Sequence, residues 1–168
     1  MSDQGEVWVR ERYHSGEQVR NVDLFYDTMG QILGVLLDEH PIPSSLPIMV
    51  MMGTLVREDE RLHEIYYRTL DFLEDEGLIR QVPMHPRASS TEEKAAESPM
   101  AFYGLTLKGM SILALKPKEL FPETSSNQSV GDVLIAEAKK EAGQVRSEVS
   151  KRVINWALEQ AGRWIIGG

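Results

Sequence analysis

Arginine side chains between residues 57 and 68 have the type and spacing that DNA recognition requires. Arg57, Arg61 and Arg68 are separated by four and seven residues, so they share one shoulder of a helix. A guanidinium group can bind a guanine edge or a phosphate through paired hydrogen bonds, and Tyr67 could contact DNA beside them. These residues therefore predict a nucleic-acid-binding edge.

Carboxylates on the same helix support a second interpretation. The face opposite the apolar residues presents Glu60, Glu64 and Asp71 together with Tyr67. These carboxylates would meet phosphates unfavourably, and Glu64 can form an ion pair with Arg68 four residues later. A solvated, salt-bridged surface that binds no DNA therefore remains open.

Enzymatic chemistry lacks the groups that it would need. The stretch HEIYY, residues 63–67, begins like the helix motif of zinc proteases, but Tyr67 stands where that motif requires a second histidine. The four histidines are scattered, there is no cysteine, and no glycine-rich phosphate loop occurs. We therefore expect no enzymatic activity, no catalytic residue, no metal site and no cofactor.

Composition favours a folded protein of the cytoplasm. The 168 residues are 42% hydrophobic, which supports one domain plus an appendage, and the net charge is -8. The N-terminus does not resemble a secretory signal, and the longest uncharged stretch, residues 40–56, contains three prolines. We expect a soluble, cytoplasmic chain without a membrane-spanning segment.

Helical periodicity first appears after residue 20. Apolar residues recur there at three- and four-residue spacing: Phe25, Met29, Ile32, Leu33 and Leu36. Asn21 or Asp23 can cap the start of this helix, and Pro41 ends it. Gly30 and Gly34 lie one turn apart, so a neighbouring element can approach this helix closely.

Two further helices are predicted before a strand. The apolar residues 48–52 indicate a short buried helix, and a third helix runs from about Glu58 to Glu76. The inward residues of the third helix are Leu62, Ile65, Tyr66, Thr69, Leu70 and Leu73. Gly77 suits the left-handed position that ends such a helix, and Leu78 can pack back on Leu73.

A hairpin and a short helix follow. Residues 79–84 and 100–105 read as two strands, and the polar loop between them contains Arg87 and Lys94, which could contact phosphates. Thr106 can cap the next helix.

Two stretches resemble winged helix-turn-helix domains. HEIYYRTLDFLEDEGLI, residues 63–79, resembles the third helix of such domains and its exit into the wing, and YGLTLKGMSIL, residues 103–113, resembles the second wing strand and the helix after it. The resemblance covers about residues 20–116. Within this group the chain is similar to small bacterial and prophage proteins with a helical C-terminal tail. The resemblance implies DNA binding through the third helix and the wing.

The C-terminal tail reads as one long amphipathic helix. Ser129 and Asp132 have the spacing of a capping box, and the helical pattern continues to about Ile166. Its apolar stripe is Leu134, Ala138, Ala142, Val145, Val149, Val153 and Trp156. Pairing of this stripe with a second chain is our leading prediction. Packing onto its own domain and lying on a membrane surface are the alternatives.

The combined prediction is a mainly α fold with a small β-hairpin. It has an N-terminal arm over residues 1–19, a winged-helix domain over 20–116, a linker over 117–129 and a C-terminal helix over 130–168. The predicted function is that of a dimeric transcriptional regulator that binds double-stranded DNA. The DNA-binding residues would be Arg57, Arg61, Tyr67, Arg68, Arg87 and Lys94. The alternative is a non-enzymatic module that binds other proteins through the winged helix and the tail.

Overall fold

The computed structural model describes residues 20–46, 59–83, 101–120, 127–139 and 144–166. These residues form five helices and one two-stranded antiparallel sheet, which confirms the mainly helical class with a small hairpin. The elements are α1 (Asn21–Glu39), α2 (Glu60–Asp75), β1 (Ile79–Val82), β2 (Phe102–Leu105), α3 (Leu107–Leu113), α4 (Val130–Lys139) and α5 (Gln144–Ile166). The short helix predicted over residues 48–52 lies outside the described residues, so the predicted third helix is α2.

Helix α1 is the element on which most others pack, because it contacts α2, β2, α4 and α5. Its buried apolar residues include four of the five predicted ones: Met29, Ile32, Leu33 and Leu36. It ends at Glu39, before Pro41, as predicted. The predicted side-chain cap is wrong: Arg20 occupies the capping position without a capping hydrogen bond, and the Asp23 carboxylate binds the Arg20 guanidinium instead, at 2.9 Å.

Two glycines on α1 allow the tail to approach its backbone. A Cβ atom at Gly30 would lie 3.3 Å from Oγ of Ser150 on α5, and one at Gly34 would lie 3.4 Å from the carbonyl oxygen of Leu134 on α4. The first distance is tighter than nine in ten real Cβ contacts, and the second is at the short limit of ordinary van der Waals contact. The predicted close approach is therefore confirmed, and the approaching elements are the two tail helices.

The single tail helix predicted over residues 130–166 is wrong. The structure contains two helices, α4 and α5, that contact each other and α1. The predicted capping box at the start of α4 is confirmed, because Ser129 Oγ accepts a hydrogen bond from the Asp132 N–H at 3.1 Å and Asp132 Oδ2 accepts one from the Ser129 N–H at 2.9 Å. The tail folds back because the glycine face of α1 can cover its apolar side chains.

The side chains predicted to pair two chains therefore pack within one chain. Leu134 and Val153 are buried in the core at 1% and 0% exposure, and Val149 and Trp156 are partly buried against it. The side chains at three other predicted positions lie outside the described residues: Ala138, Ala142 and Val145. The surface of α1 therefore covers apolar side chains that the sequence analysis assigned to pairing with a second chain.

Polar contacts also hold α5 on α1. Nζ of Lys151 lies 3.3 Å from Oδ1 of Asp23 and 5.9 Å from the ring centre of Tyr26, whose hydroxyl donates a hydrogen bond to Asn155. The hydrogen bond from Arg20, together with that from Lys151, holds the pKa of the Asp23 carboxyl below its usual value, although burial acts in the opposite direction. Asp23 is therefore stabilised in its charged form by groups from both ends of the chain.

Helix α2 ends in a turn that Gly77 makes possible. Gly77 has a φ of 68°, in the left-handed region. The Leu78 N–H donates to the Leu73 carbonyl at 2.9 Å and the Gly77 N–H donates to the Glu74 carbonyl at 2.8 Å, the two hydrogen bonds of a Schellman motif. Leu73 and Leu78 are both buried. The predicted ending of this helix is confirmed.

The start of α3 packs directly on that turn. Thr106 caps α3 by accepting from the Gly109 N–H at 3.0 Å, as predicted, and its hydroxyl lies 2.5 Å from the Gly77 carbonyl oxygen. The Lys108 ammonium donates to the carbonyl of Glu76 at 2.5 Å. A Cβ atom at Gly109 would lie well inside 3.0 Å of the Leu78 carbonyl oxygen, so only glycine fits there without a backbone shift.

Strands β1 and β2 extend from this junction as an antiparallel pair, with Ile79 opposite Leu105 and Val82 opposite Phe102. Ser44 exchanges two backbone hydrogen bonds with Tyr103, at 2.9 and 2.8 Å. The segment after α1 therefore lies along the other edge of β2.

We predict that Gly109→Ala lowers the free energy of unfolding by about 2–3 kcal/mol, because the new methyl group must displace the Leu78 backbone. Urea denaturation followed by circular dichroism measures this change. Gly162→Ala on α5 is the matched control, since no atom lies within 4 Å of its added Cβ and alanine favours a helix by about 0.5–1 kcal/mol. Equal effects of the two substitutions would contradict the packing argument.

We predict that Asp23→Asn weakens the acid sensitivity of the fold. Because the pKa of Asp23 is lowered in the folded protein, its contribution is complete above the unfolded-state pKa of about 3.9 and is lost as the pH falls through the folded-state pKa. The variant should be less stable at neutral pH and lose less stability on acidification. Lys151→Met should act in the same direction. Urea denaturation at several acidic pH values measures the free energy of unfolding of the unmodified protein and both variants. If this free energy fell equally with pH in all three proteins, Asp23 would have no such role.

Candidate functional site

Helix α2 presents one buried and one solvent-facing side. Its buried residues are the six that periodicity predicted: Leu62, Ile65, Tyr66, Thr69, Leu70 and Leu73. Asp59 caps the helix by accepting a hydrogen bond from the Arg61 N–H at 2.9 Å. The opposite side, called the α2 face below, consists of Glu60, His63, Glu64, Tyr67, Arg68, Asp71, Glu74 and Asp75.

The α2 face is strongly acidic. It carries five carboxylates and one guanidinium group, and all of these residues are exposed except Glu74, which is half-buried. Glu76 adds another exposed carboxylate in the turn that follows. A negatively charged ligand would therefore meet mainly like charge on this face.

Two of the arginines that the sequence singled out, Arg61 and Arg68, lie beside carboxylates. Nε of Arg68 is 2.7 Å from Oε1 of Glu64, and the two side chains are 72% and 65% exposed. Arg61 is half-buried on the shoulder of the helix, with its guanidinium 3.9 Å from the Asp59 carboxylate. The other predicted DNA-binding residues lie outside the described residues: Arg57, Arg87 and Lys94.

Tyr67 is the exposed aromatic residue of the α2 face, at 47% exposure. Its ring centre lies 4.8 Å from that of His63 and 5.3 Å from that of Tyr66, in an edge-on contact with the latter. Tyr66 is itself held rigidly, because it is buried and its hydroxyl donates to the Leu46 carbonyl. Tyr67 is therefore presented to solvent on an ordered aromatic support.

The negative charges on the C-terminal half of the α2 face act on Tyr103 of β2. Burial raises the pKa of the Tyr103 hydroxyl, and the negative charges of Glu74 and Asp71 raise it further, as does the nearby Tyr67. Gln81 of β1 donates a hydrogen bond to that hydroxyl at 3.4 Å. We call this region, formed by Tyr67, Asp71, Glu74, Gln81 and Tyr103, the seam.

Tyr67 and Asp71 are recognisable from the sequence as surface residues of this helix, whereas the seam is not. Tyr103 was assigned only to a strand, and Glu74 only to the end of a helix. The pairing of Gln81 with Tyr103 across the hairpin requires the strand register, which two short strands joined by a long loop do not reveal.

No protein-family model, curated protein or solved structure matches this chain. Among the residues that the structure describes, no helix is both long enough and apolar enough to span a lipid bilayer.

We predict that Glu64→Gln changes the free energy of unfolding by less than about 0.5 kcal/mol, because its ion pair with Arg68 is largely exposed. Arg68→Gln should have an equally small effect. Thermal and urea denaturation at low salt test both variants. A loss of about 2 kcal/mol would mean that the ion pair is structural and that the α2 face is not a free surface.

Proposed function

We propose that this chain is a non-enzymatic winged helix-turn-helix module that binds a positively charged segment of a partner protein through the α2 face. The winged-helix assignment is supported by the order α1, α2, hairpin and α3, and by the packing of the turn at Gly77 against Thr106. A cytoplasmic location belongs to the same proposal, since a chain without cysteine suits a reducing compartment.

The observation that carries this proposal is the charge of the α2 face. Two unit charges 4 Å apart interact by about 1 kcal/mol in water and by about 4 kcal/mol at the effective dielectric constant of a protein surface. Five carboxylates against one guanidinium group would therefore repel a phosphate backbone and attract a cationic chain. Arg68 is already paired with Glu64. If Arg68 turned to a DNA phosphate instead, the Glu64 carboxylate would be left unpaired and would face the DNA.

DNA binding by a dimeric regulator is the second candidate. It is favoured by the weakness of the pair between Arg68 and Glu64, since exposed ion pairs contribute about 0–1 kcal/mol and can be exchanged for a phosphate contact. Arg80 is also exposed on β1, beside the predicted wing. A homodimer stays a prediction, and its contacts would have to use surfaces other than the buried Leu134 and Val153.

The two candidates predict opposite results in a pair of binding measurements at low salt. We expect a displayed library of random peptides to yield binders with positive net charge, whereas a labelled DNA duplex should not bind in an anisotropy titration. The variant Glu60→Gln/Glu64→Gln should lose affinity for the selected peptides while remaining folded.

Tight duplex binding that weakens in Arg68→Gln, with a reduced dependence on salt concentration, would instead support the regulator. Selected peptides that bind the Glu60→Gln/Glu64→Gln variant as tightly as the unmodified protein would exclude the α2 face as the binding surface.

A further inference from the structure

The seam combines an exposed aromatic ring with carboxylates on the same side of one helix. Tyr67 and Asp71 are one helical turn apart, and Glu74 lies two turns from Tyr67, so the three side chains form a row along α2. The row lies within electrostatic reach of Tyr103 on the hairpin, whose hydroxyl accepts a hydrogen bond from Gln81. This arrangement offers a flat surface for stacking and negative charge beside it.

We propose that the seam binds an arginine side chain of the partner segment, stacked on the Tyr67 ring and paired with the carboxylates of Asp71 and Glu74. This inference rests on the proposed function, because it names the anchor within the same α2 face. The occupant follows from charge complementarity: the face has a large excess of carboxylates over guanidinium groups.

Arginine fits this surface better than lysine. A guanidinium group is planar, so it can stack on a tyrosine ring and still direct paired N–H groups toward a carboxylate, whereas an ammonium group is a compact and strongly hydrated charge. A cation on an aromatic face increases affinity about two- to fivefold at an exposed site and about thirtyfold where water is excluded. The side chain of Tyr67 is 47% exposed, so we expect a contribution between these two values.

The support beneath Tyr67 strengthens this contact. The ring of Tyr67 touches those of His63 and Tyr66, and Tyr66 is fixed by its hydrogen bond to the Leu46 carbonyl. A ring whose position is already restricted loses little conformational entropy when a ligand stacks on it. Tyr67 is therefore suited to anchor a flexible basic segment.

The experiment compares two labelled peptides, one of alternating arginine and glycine and one of alternating lysine and glycine, in anisotropy titrations with the full chain. We expect the arginine peptide to bind at least about fivefold more tightly, the factor that corresponds to 1 kcal/mol. Tyr67→Ala should remove about that factor for the arginine peptide, and Tyr67→Phe should retain most of it. Asp71→Asn/Glu74→Gln should weaken binding about tenfold or more.

A charge-matched control separates the seam from general attraction. Glu148→Gln/Glu159→Gln removes two exposed carboxylates from α5, which packs mainly against α1, α3 and α4. It should change the affinity less than about twofold, because these carboxylates lie on a different helix from the seam and exposed charges are screened by salt. An equal loss in this control and in Asp71→Asn/Glu74→Gln would overturn the proposal.

Different binding results would reject the arginine anchor and the proposed function. Binding that Glu60→Gln/Glu64→Gln weakens but Tyr67→Ala does not, with equal affinity for both peptides, would reject the arginine anchor and retain the α2 face. No binding of either peptide, together with no enrichment from the displayed library, would reject both. Circular dichroism of each variant checks that the fold is retained, as expected for positions that are exposed or, at Glu74, half-buried.

Discussion

The structure depends on one close contact, in which the first turn of α3 packs against the turn that ends α2. Gly77 reverses the chain in the left-handed conformation, and Gly109 lets the α3 backbone approach the Leu78 carbonyl. Thr106 then caps α3 while its hydroxyl bonds to the same turn. Because β1 begins directly after Leu78 and β2 ends directly before Thr106, this contact also brings the two strands together. A shift here would move both α2 and the hairpin.

A second close approach determines where the tail lies. The glycine pair on α1 removes side chains from one strip of its surface, so α4 and α5 can bury Leu134 and Val153 against it. Burial of a Leu or Val side chain contributes about 1.5–3 kcal/mol each. The polar contacts of Asp23 with Lys151 and of Tyr26 with Asn155 fix the position of α5 along α1. The tail is consequently part of the same core as the hairpin domain.

Helix caps, turns and buried helix faces were predictable from the sequence, whereas the contacts between elements distant in sequence were not. The inward side of α2, the turn at Gly77 and the caps at Thr106 and Ser129 all follow from residues within a few positions of one another. The fold of the tail depends on which element occupies the space beside Gly30 and Gly34, and spacing on one helix cannot identify its neighbour. The seam is similar, because Tyr103 comes within electrostatic reach of Asp71 only after the hairpin has formed.

The carboxylates at the C-terminal end of α2 destabilise the helix, and hydrogen bonds and packing at that end offset the effect. Three carboxylates, those of Glu74, Asp75 and Glu76, lie where the helix dipole is negative, and each destabilises the helix by about 0.3–1 kcal/mol before screening. The Schellman hydrogen bonds and the Lys108 ammonium on the Glu76 carbonyl act in the opposite sense. Natural sequences tend to break such local rules at functional sites. A cationic ligand on the seam would reduce the repulsion among these carboxylates, so binding would also stabilise the end of α2 that presents Tyr67.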